Sequence, residues 1–479
     1  MSMRMQHAGG SLLLILLGSL SLSVQAQQLV WLGTLGGSAS AAFDLTVVGD
    51  TIIVVGRARN ATEAPRPFRW TPAHGLQDLG TLGGTDAALS GEAWGISANG
   101  RTVVGWADNA QGTDRAFRWT DTTGFQDLGT LGGATGWATA VSATGAVVVG
   151  YAENGQVNQH AFRWTAAAGM HTLDLADQVV SRALDVTADG ATVVGWMTPD
   201  GHTTLAFRWT ESSGLEDLNT TYAALLQPAG APVPSVLVEA HAVSPDGRFI
   251  VGVGFDAQTM RAGVPFWIDT RQPTIRWLGL PASDDVSFTM AQANDVSQAG
   301  TVVVGVAIDA GGTSPRAYRW TAAQGPEDLN VAYAGLLSDG SVLLEATAVS
   351  ADGRYIVGYG YRAATGRQEA FLLDTGVATA TAPVLAPGSF LLLGNSPNPF
   401  RTTTTIQFVL QQEGPIRLEV FDLLGRSVRV LLDGYLPPGP HRIVWDGRDA
   451  RGRLLPAGVY LYRLRQHNQT QSRTLMLLR

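Results

Sequence analysis

A chain of 479 residues with 45% hydrophobic and 15% charged residues is long enough for two or three domains and has the composition of a folded protein. Cysteine is absent, which excludes disulfides, cysteine-ligated zinc and thiol catalysis. Residues 27–388 carry 19 Arg against 34 Asp and Glu, whereas residues 389–479 carry 12 Arg against 6. The acidic main part argues against nucleic acid as a partner, since phosphate binding needs a basic face. The change of charge indicates two domains.

Residues 1–26 have the pattern of a secretory signal peptide. Arg4 precedes the apolar run Leu12–Leu22, and the small residues Val24 and Ala26 suit a signal peptidase. We therefore expect cleavage between Ala26 and Gln27 and a secreted or outer-membrane surface location. A buried N-terminal helix is the alternative. No other apolar run reaches the roughly 20 residues of a membrane-spanning helix, so no transmembrane segment is expected.

Residues 27–375 contain seven copies of one unit, and each copy begins with two strands joined by a turn such as Asn99-Gly100, which favours a tight hairpin. The second strand ends in a Val-Gly string, and a Phe-Arg-Trp type strand and an Asp-Leu-Gly type strand follow. The glycines of the Val-Gly strings are Gly56, Gly105, Gly150, Gly195, Gly252, Gly305 and Gly358. In the second copy the predicted strands are Glu92–Ser97, Thr102–Ala107, Ala116–Thr120 and Phe125–Leu131. A four-stranded antiparallel meander of this length matches one blade of a β-propeller.

The two ends of the repeat region complement each other. Val30–Leu35 has the sequence of a fourth strand without a unit of its own, and the last copy ends after its third strand near Asp374. Pairing of the N-terminal strand with Phe371–Leu373 completes the seventh unit and removes exposed sheet edges. The predicted fold is therefore all-β, with a seven-bladed β-propeller closed by the N-terminal strand and followed by a small C-terminal β-sandwich.

The repeat region resembles the HAF-type extracellular repeat family. The resemblance is carried by Ala116–Thr120 (AFRWT), Asp127–Gly133 (DLGTLGG) and Ser97–Gly105, and it recurs in register along the chain. The fifth copy departs from it, with Asp284-Asp285 where others carry Gly-Gly. The resemblance implies an exported propeller, but the family has no general activity to transfer.

Residues shared by nearly every copy most simply serve the fold, so candidate functional residues are sought where the copies differ. The first strands align on a shared alanine, namely Ala42, Ala93, Ala138, Ala183, Ala240, Ala293 and Ala346. The positions before and after it vary in chemistry and are expected at the mouth of a central channel, where they meet a surface glycan or a peptide. The candidate ligand-binding residues are Glu92, Trp94, Trp137, Arg182, Glu239, His241 and Glu345. Ordinary packing between blades is the alternative for each.

The sequence contains no H-E-x-x-H, calcium-loop, G-x-S-x-G or phosphate-loop motif. We therefore predict no catalytic residue, metal or cofactor, and a non-enzymatic binding or scaffold protein. A propeller-type carbohydrate-active enzyme that uses channel-mouth carboxylates such as Glu92 and Glu239 is one alternative. A self-associating surface-layer component is another.

Residues 376–389 are uncharged and rich in Ala, Thr, Val and Pro, which is typical of a linker. In residues 390–479 apolar and polar residues alternate along short segments, as in the strands of a small β-sandwich. They resemble the C-terminal sorting domain of type IX secretion cargo, with likeness to the FlgD-type immunoglobulin fold. The motif positions are Asn395, Pro397, Asn398, Pro399, Phe400, Gly458 and Tyr460. The resemblance implies the type IX secretion machinery as a partner, followed by removal of the domain or surface attachment. A plain sandwich that serves adhesion is the alternative.

Overall fold

The computed structural model describes residues 27–83, 87–156, 158–173, 180–227, 232–283, 285–376, 390–396, 400–410, 413–422, 426–436, 439–466 and 469–478. The chain divides between Thr381 and Ala382 into two compact units. Residues 1–26, predicted as a signal peptide, and most of the predicted linker lie outside the described residues. No helix in the described part of the chain is long and apolar enough to cross a membrane.

The first unit consists of four-stranded antiparallel sheets that follow one another along the chain. After β1 (Gln28–Gly33), the first sheet contains β2 (Gly36–Val48), β3 (Thr51–Asn60), β4 (Pro65–Thr71) and β5 (Gly75–Asp78). The second contains β6 (Gly91–Ile96), β7 (Thr102–Asp108), β8 (Asp114–Thr120) and β9 (Gly124–Asp127). The third contains β10 (Gly132–Val141), β11 (Val147–Asn154), β12 (Gln159–Thr165) and β13 (Gly169–Thr172).

The same order of strands recurs in the rest of the unit. The fourth sheet contains β14 (Val180–Val186), β15 (Thr192–Thr198), β16 (Leu205–Thr210) and β17 (Gly214–Asp217). The fifth contains β18 (Val236–Val243), β19 (Phe249–Asp256), β20 (Arg261–Asp269) and β21 (Thr274–Trp277). The sixth contains β22 (Phe288–Val296), β23 (Val302–Asp309), β24 (Arg316–Thr321) and β25 (Gly325–Asp328), and the seventh begins with β26 (Val342–Val349), β27 (Tyr355–Arg362) and β28 (Arg367–Asp374).

The fourth strand of the second sheet is shorter than predicted, since it ends at Asp127 and not at Leu131. The Asp127 carboxylate accepts a hydrogen bond from the Gly129 N–H at 2.8 Å, and Gly129 has a φ of 88°. This side-chain turn directs the backbone out of the sheet.

The fourth and sixth copies carry Asp-Leu-Asn where the first and second carry Asp-Leu-Gly. In these two copies the strand continues into short helices that no sequence pattern predicted. These are α1 (Leu218–Thr221), α2 (Ala223–Leu226), α3 (Leu329–Ala332) and the 3-10 turn Ala334–Leu336. Asp217 and Asp328 each accept a hydrogen bond from the backbone N–H two residues later, which caps the first helical turn.

Strand β1 completes the seventh sheet, as the sequence predicts. It pairs antiparallel with β28, with Leu29 opposite Leu373 and Trp31 opposite Phe371. The strand ends two residues before the predicted Leu35, because Gly33 takes a φ of 81° and the chain turns into β2. A parallel bridge between Ala39 and Gln368 then links the seventh sheet to the first.

Apolar side chains fill the space between successive sheets, and the first and seventh sheets share such a core. Ala42 and Phe68 of the first sheet belong to the same buried cluster as Ala348, Val357 and Leu372 of the seventh. The packing that joins these two sheets is therefore of the kind found at the other junctions.

The second unit is a sandwich of two antiparallel sheets. One contains β29 (Phe390–Ser396), β30 (Thr404–Leu410) and β33 (Gly439–Trp445). The other contains β31 (Gly414–Phe421), β32 (Ser427–Leu436), β34 (Gly458–Gln466) and β35 (Gln469–Leu477). The core between them is formed by residues of both sheets, including Phe408, Trp445 and Tyr462.

The glycines of the Val-Gly strings are required by a close approach of two backbones. Each lies opposite the shared alanine of the first strand, where that strand has a β-bulge. A Cβ on any of the seven would collide with the carbonyl oxygen of the residue before the alanine. Only glycine leaves room for this bulged pairing.

Replacement of one such glycine tests this constraint. For Gly195→Ala the new methyl group would overlap the Arg182 carbonyl, and we expect the free energy of unfolding to fall by about 1–3 kcal/mol, measured by denaturant unfolding. The control is Gly335→Ala, where nothing lies within 4 Å of a Cβ. Equal stability of the two variants would show that the close approach relaxes without cost.

Candidate functional site

The bulge in each first strand places one extra residue, the position after the shared alanine, outside the regular pairing. We call these seven residues the bulge column. They are Phe43, Trp94, Thr139, Leu184, His241, Asn294 and Thr347. Because a bulge re-aims a side chain, bulge-column residues point away from the sheet's own ladder. Four of them, Thr139, His241, Asn294 and Thr347, reach the neighbouring sheet.

Several bulge-column side chains bind the carbonyl oxygen of the shared alanine in the next sheet. Thr139 Oγ1 donates to Ala183 at 2.9 Å, and Asn294 Nδ2 donates to Ala346 at 3.0 Å. Thr347 Oγ1 donates to Ala42 at 3.0 Å and so links the seventh sheet to the first.

The predicted ligand residue His241 serves the same junction. Its Nδ1 lies 2.8 Å from the Ala293 carbonyl oxygen, and its Nε2 lies 3.1 Å from Glu239 Oε2. A carbonyl oxygen can only accept, so Nδ1 carries a hydrogen. His241 and Glu239, both predicted from the sequence, therefore lie together as a bonded pair at the junction of the fifth and sixth sheets.

The other predicted glutamates are also engaged. Glu92 is 7% exposed, forms an ion pair with Arg57 at 2.6 Å and accepts a hydrogen bond from Trp94 Nε1 at 2.8 Å. Among the described side chains, no hydrogen bond or ion pair joins any two of the three predicted glutamates.

Glu345 accepts two hydrogen bonds, from Tyr359 Oη at 2.6 Å and from Asn294 Nδ2 at 2.8 Å. Burial and the adjacent Glu345 carboxylate raise the pKa of Tyr359. Glu345 is therefore held by both of its oxygens.

Trp137 and Arg182 meet around Tyr151 of the third sheet. Trp137 stacks on Tyr151 with ring centroids 5.0 Å apart. The Arg182 guanidinium lies 4.4 Å from the Tyr151 ring and 5.2 Å from the Trp196 ring, a cation–π arrangement, and its Nε donates to Gln159 Oε1 at 2.9 Å. The structure thus brings these two predicted residues into one half-buried stack.

A pair of carboxyl groups that no sequence pattern indicated lies beside this stack. Asp108 and Asp114 are cross-strand partners at the hairpin of the second sheet. Partial burial raises the pKa of Asp114, and the charge of Asp108 adds to the effect, whereas a hydrogen bond from Trp137 lowers it. No repeat column marked these residues, because they lie on the second and third strands.

We call this surface the aromatic–acidic cluster. It comprises Glu92, Trp94, Asp108, Asp114, Trp137, Tyr151 and Arg182, contributed by the second, third and fourth sheets. The Glu92 charge also acts on Asp114, so the predicted glutamate and the carboxyl pair belong to one electrostatic neighbourhood. Aromatic faces beside carboxyl groups suit the C–H face and the hydroxyl groups of a sugar ring.

A central cavity of 410 Å³ is lined by the ends of the first strands of all seven sheets. Three aspartates, Asp44, Asp185 and Asp295, project into it, two positions after the shared alanine. None of the predicted site residues lines this cavity. The sequence does contain a signal for these aspartates. The residue two positions after the shared alanine is Asp in three copies and Gly or Ala in the other four.

Each cavity aspartate joins two sheets through backbone N–H groups. Its Oδ1 accepts from the next residue at 2.7 Å, and its Oδ2 accepts from the first strand of the following sheet at 2.8 Å, donated by Ile96, Val243 and Val349 respectively. Burial raises the pKa of Asp44 to about 7 and of Asp185 to about 6, and raises that of Asp295 as well. Desolvation outweighs the N–H bonds, which favour the charged form.

No group of three or more His, Asp or Glu side chains in the described ranges is arranged to hold a metal ion. The three cavity aspartates are used in joining sheets.

The predicted processing and sorting residues fall largely outside the described residues or in the sandwich core. Ala26, Pro397, Asn398 and Pro399 lie outside them, Gln27 precedes β1, and Asn395 lies on β29. Gly458 begins β34, and Phe400 and Tyr460 contact the Trp445 ring at centroid distances of 5.6 and 5.9 Å. The motif residues with described side chains therefore support the core of the sandwich.

No protein-family model matches the chain. Over 80 residues it is 32% identical to the basal-body rod modification protein FlgD of Salmonella typhimurium, a stretch that covers 16% of this chain and 34% of FlgD. FlgD of Salmonella typhi gives the same values. The chain thus spans about a third of the length of the curated relatives it matches.

Three solved structures are distantly similar. PorZ, a surface component of the type IX secretion system of Porphyromonas gingivalis, aligns with 91% of this chain and 59% of its own at 13% identity and a TM-score of 0.40. The β-propeller domain of the Trilobed protease from Pyrococcus furiosus aligns with 70% and 96% at 10% identity and 0.41. A Mycobacterium tuberculosis puromycin-hydrolyzing peptidase aligns with 78% and 58% at 13% identity and 0.45.

The cavity aspartates make stability depend on pH. A carboxyl whose pKa is raised by folding holds its proton in the native state while the unfolded state loses it, so stability falls as pH rises from about 4 to about 7. For Asp185 the shift from 3.8 to about 6 corresponds to up to about 3 kcal/mol. We expect the Asp185→Asn variant to lose part of this dependence in unfolding measured at pH 4.5, 6 and 7.5. Identical pH profiles would show that the carboxyl titrates normally.

Proposed function

We propose that the first unit is a closed seven-bladed β-propeller that acts as a non-enzymatic binding or scaffold protein at the cell surface or outside the cell. Closure is supported by β1, which completes the seventh sheet, and by the bond from Thr347 to Ala42. It is also supported by the central cavity, since the first strands of all seven sheets line it. A propeller presents a rigid face on which variable residues are collected, and such a face suits recognition.

The observation that carries the binding proposal is the engagement of the predicted carboxylates. A glycosidase needs two carboxyl groups that face a common substrate. Glu92, Glu239 and Glu345 are each held by separate partners on separate sheets. Fixed side chains of this kind suit a preorganised binding surface better than an acid–base pair.

The aromatic–acidic cluster is the proposed recognition surface, and a surface glycan is the proposed ligand. The stacked Trp137 and Tyr151 rings, with Arg182 held over Tyr151, form a rigid platform. Stacking of a sugar on this platform costs little conformational entropy, because the three side chains already fix one another.

A carbohydrate-active enzyme is the second candidate, and the Asp108–Asp114 pair is the observation that favours it. The raised pKa of Asp114 favours its protonated form, which a general acid requires. Glu92 lies close enough to act on it electrostatically, as a second carboxylate.

We further propose that the second unit directs export through type IX secretion and that the signal peptide precedes it in the pathway. The sandwich fold and the motif residues packed around Trp445 support this proposal. Secretion through that system would place the propeller outside the outer membrane.

The role of β1 in closing the propeller is tested by a pair of tryptophans. Trp31 packs edge-on against Phe371 of β28, and Trp277 packs in the same way against Phe266 of the fifth sheet, both at centroid distances of 6.2 Å. If β1 is a true fourth strand, Trp31→Ala and Trp277→Ala should each lower the free energy of unfolding by about 3 kcal/mol. If Trp277→Ala lowers the free energy of unfolding but Trp31→Ala leaves it unchanged, closure of the propeller in solution is contradicted.

Ligand recognition is tested with the mature chain from Gln27 on a glycan and peptide array. We expect glycan binding that Trp137→Ala weakens at least tenfold, because the variant removes the stacking face. The matched control is Trp209→Ala on β16, outside the cluster. Turnover of an array glycan that is lost in Asp114→Asn would favour the enzyme, and peptide binding without glycan binding would replace the proposed ligand class.

A further inference from the structure

A second pocket lies where the sixth sheet meets the seventh, separate from the aromatic–acidic cluster. Its volume is 340 Å³, and its lining includes Asp285, Arg316, Asp328, Val331 and Ser341. The walls combine charged groups with apolar side chains.

Asp328, at the end of β25, carries an unpartnered buried oxygen. The residue is 2% exposed, and its Oδ1 accepts from the N–H and the Nδ2 of Asn330 at 2.8 and 2.9 Å. Its Oδ2 has no hydrogen-bond partner among the described residues. Buried polar atoms are nearly always bonded, so an orphaned carboxyl oxygen in a pocket wall points to a missing donor.

The first two copies show which donor the repeat provides at this position. Arg66 Nε donates to Asp78 at 3.2 Å, and Arg115 Nε donates to Asp127 at 3.1 Å. These arginines and aspartates occupy the same strand positions as Arg316 and Asp328. A cation from the chain itself thus neutralises the carboxylate in those copies.

In the sixth copy the corresponding arginine, Arg316, pairs with a different carboxylate. Arg316 Nη2 pairs at 3.2 Å with Asp285, which comes from the Asp284-Asp285 segment where other copies carry Gly-Gly. The cation that occupies this position in the first two copies is therefore engaged elsewhere.

The fourth copy provides a different internal donor. There Thr220 Oγ1 donates to Asp217 Oδ2 at 3.1 Å. Val331 stands at the equivalent position of the sixth copy, so the hydroxyl is absent as well. The sixth copy therefore lacks both internal donors, the arginine of the first two copies and the hydroxyl of the fourth, and the pocket lies in this copy.

We propose that this pocket binds an organic cation with N–H donors, an ammonium or guanidinium head on an alkyl arm, which takes the place that arginine holds beside Asp78 and Asp127. The head donates to Asp328 Oδ2. The arm lies against the apolar wall formed by Val331, Leu337 and Val342. Arg316 stays paired with Asp285, so the pocket accepts one cation without expelling another.

The charge of the chain favours such a ligand. Residues 27–388 carry 19 Arg against 34 acidic residues, and the sequence contains no lysine. The field around an acidic surface raises the local concentration of cations. No ammonium side chain of the chain itself competes for the position.

The probes are n-butylammonium and n-butylguanidinium, with tetramethylammonium as the cation that lacks N–H donors. Binding to the mature full-length chain is followed by calorimetry and by chemical-shift changes. We expect the first two to bind and tetramethylammonium not to bind. Equal binding of all three would reduce the effect to general surface attraction and overturn the proposal.

Three variants assign the binding to Asp328. Val331→Thr restores the internal hydroxyl of the fourth copy, and Asp285→Asn releases Arg316 toward Asp328, so each should weaken binding of n-butylammonium at least tenfold. Asp217→Asn, in the copy whose oxygen is already bonded, should leave the affinity unchanged.

Folding and binding are separated by the direction of the effects. Val331→Thr should raise the melting temperature while it lowers the affinity, an outcome that a misfolded variant cannot give. Undiminished affinity in Val331→Thr would overturn the proposal. Absence of binding by both N–H cations would also overturn it and would assign the oxygen to a proton or a water molecule.

Discussion

The first unit depends on one steric constraint that recurs in every copy of its repeat. A bulge in the first strand pushes a carbonyl oxygen against the second strand, and only a glycine there leaves room for it. The bulge releases one side chain from its own sheet, and in every copy but the second that side chain or the aspartate after it reaches the next sheet. The joints between sheets therefore originate within the strand pairing of each sheet.

This arrangement explains why bulge-column residues such as His241 and Asn294 carry little of the candidate function. His241 and Asn294 differ in chemistry, yet both bind the carbonyl of the next shared alanine. Variation in the bulge column thus reflects several ways to make one bond, in addition to any choice of ligand. The side chains that are not needed to join sheets lie elsewhere. Asp108 and Asp114 lie one strand further out, and Asp328 lies in a copy that lacks the internal hydrogen-bond donor.

The sequence predicted the meanders, the pairing of the N-terminal strand and the approximate strand positions, because period-two patterns and glycine turns are local signals repeated in register. It predicted Trp137 and Arg182 near each other only as members of one column. Their stack on Tyr151 depends on side-chain directions across two sheets, which no column records.

The cavity aspartates and the orphaned oxygen of Asp328 were beyond the sequence analysis for different reasons. Asp44, Asp185 and Asp295 were visible as a column, but their role follows from burial and from N–H groups of the next sheet. Asp328 has the same sequence motif as Asp217, and the difference lies in Val331 and in the pairing of Arg316. Such a difference emerges only when the copies are compared in three dimensions.

The contacts that join the first and seventh sheets also set an order of events in folding. Each meander forms from neighbouring segments, whereas the bonds from Thr347 to Ala42 and from Ala370 to Ser40 span 305 and 330 residues. The entropic cost of closing so long a loop must be offset before these bonds stabilise the fold. The sheets can thus form one by one while the chain is being synthesised, but the first and seventh sheets can join only after the last repeat is present. Until then the outer faces of the first and last sheets are open to other chains.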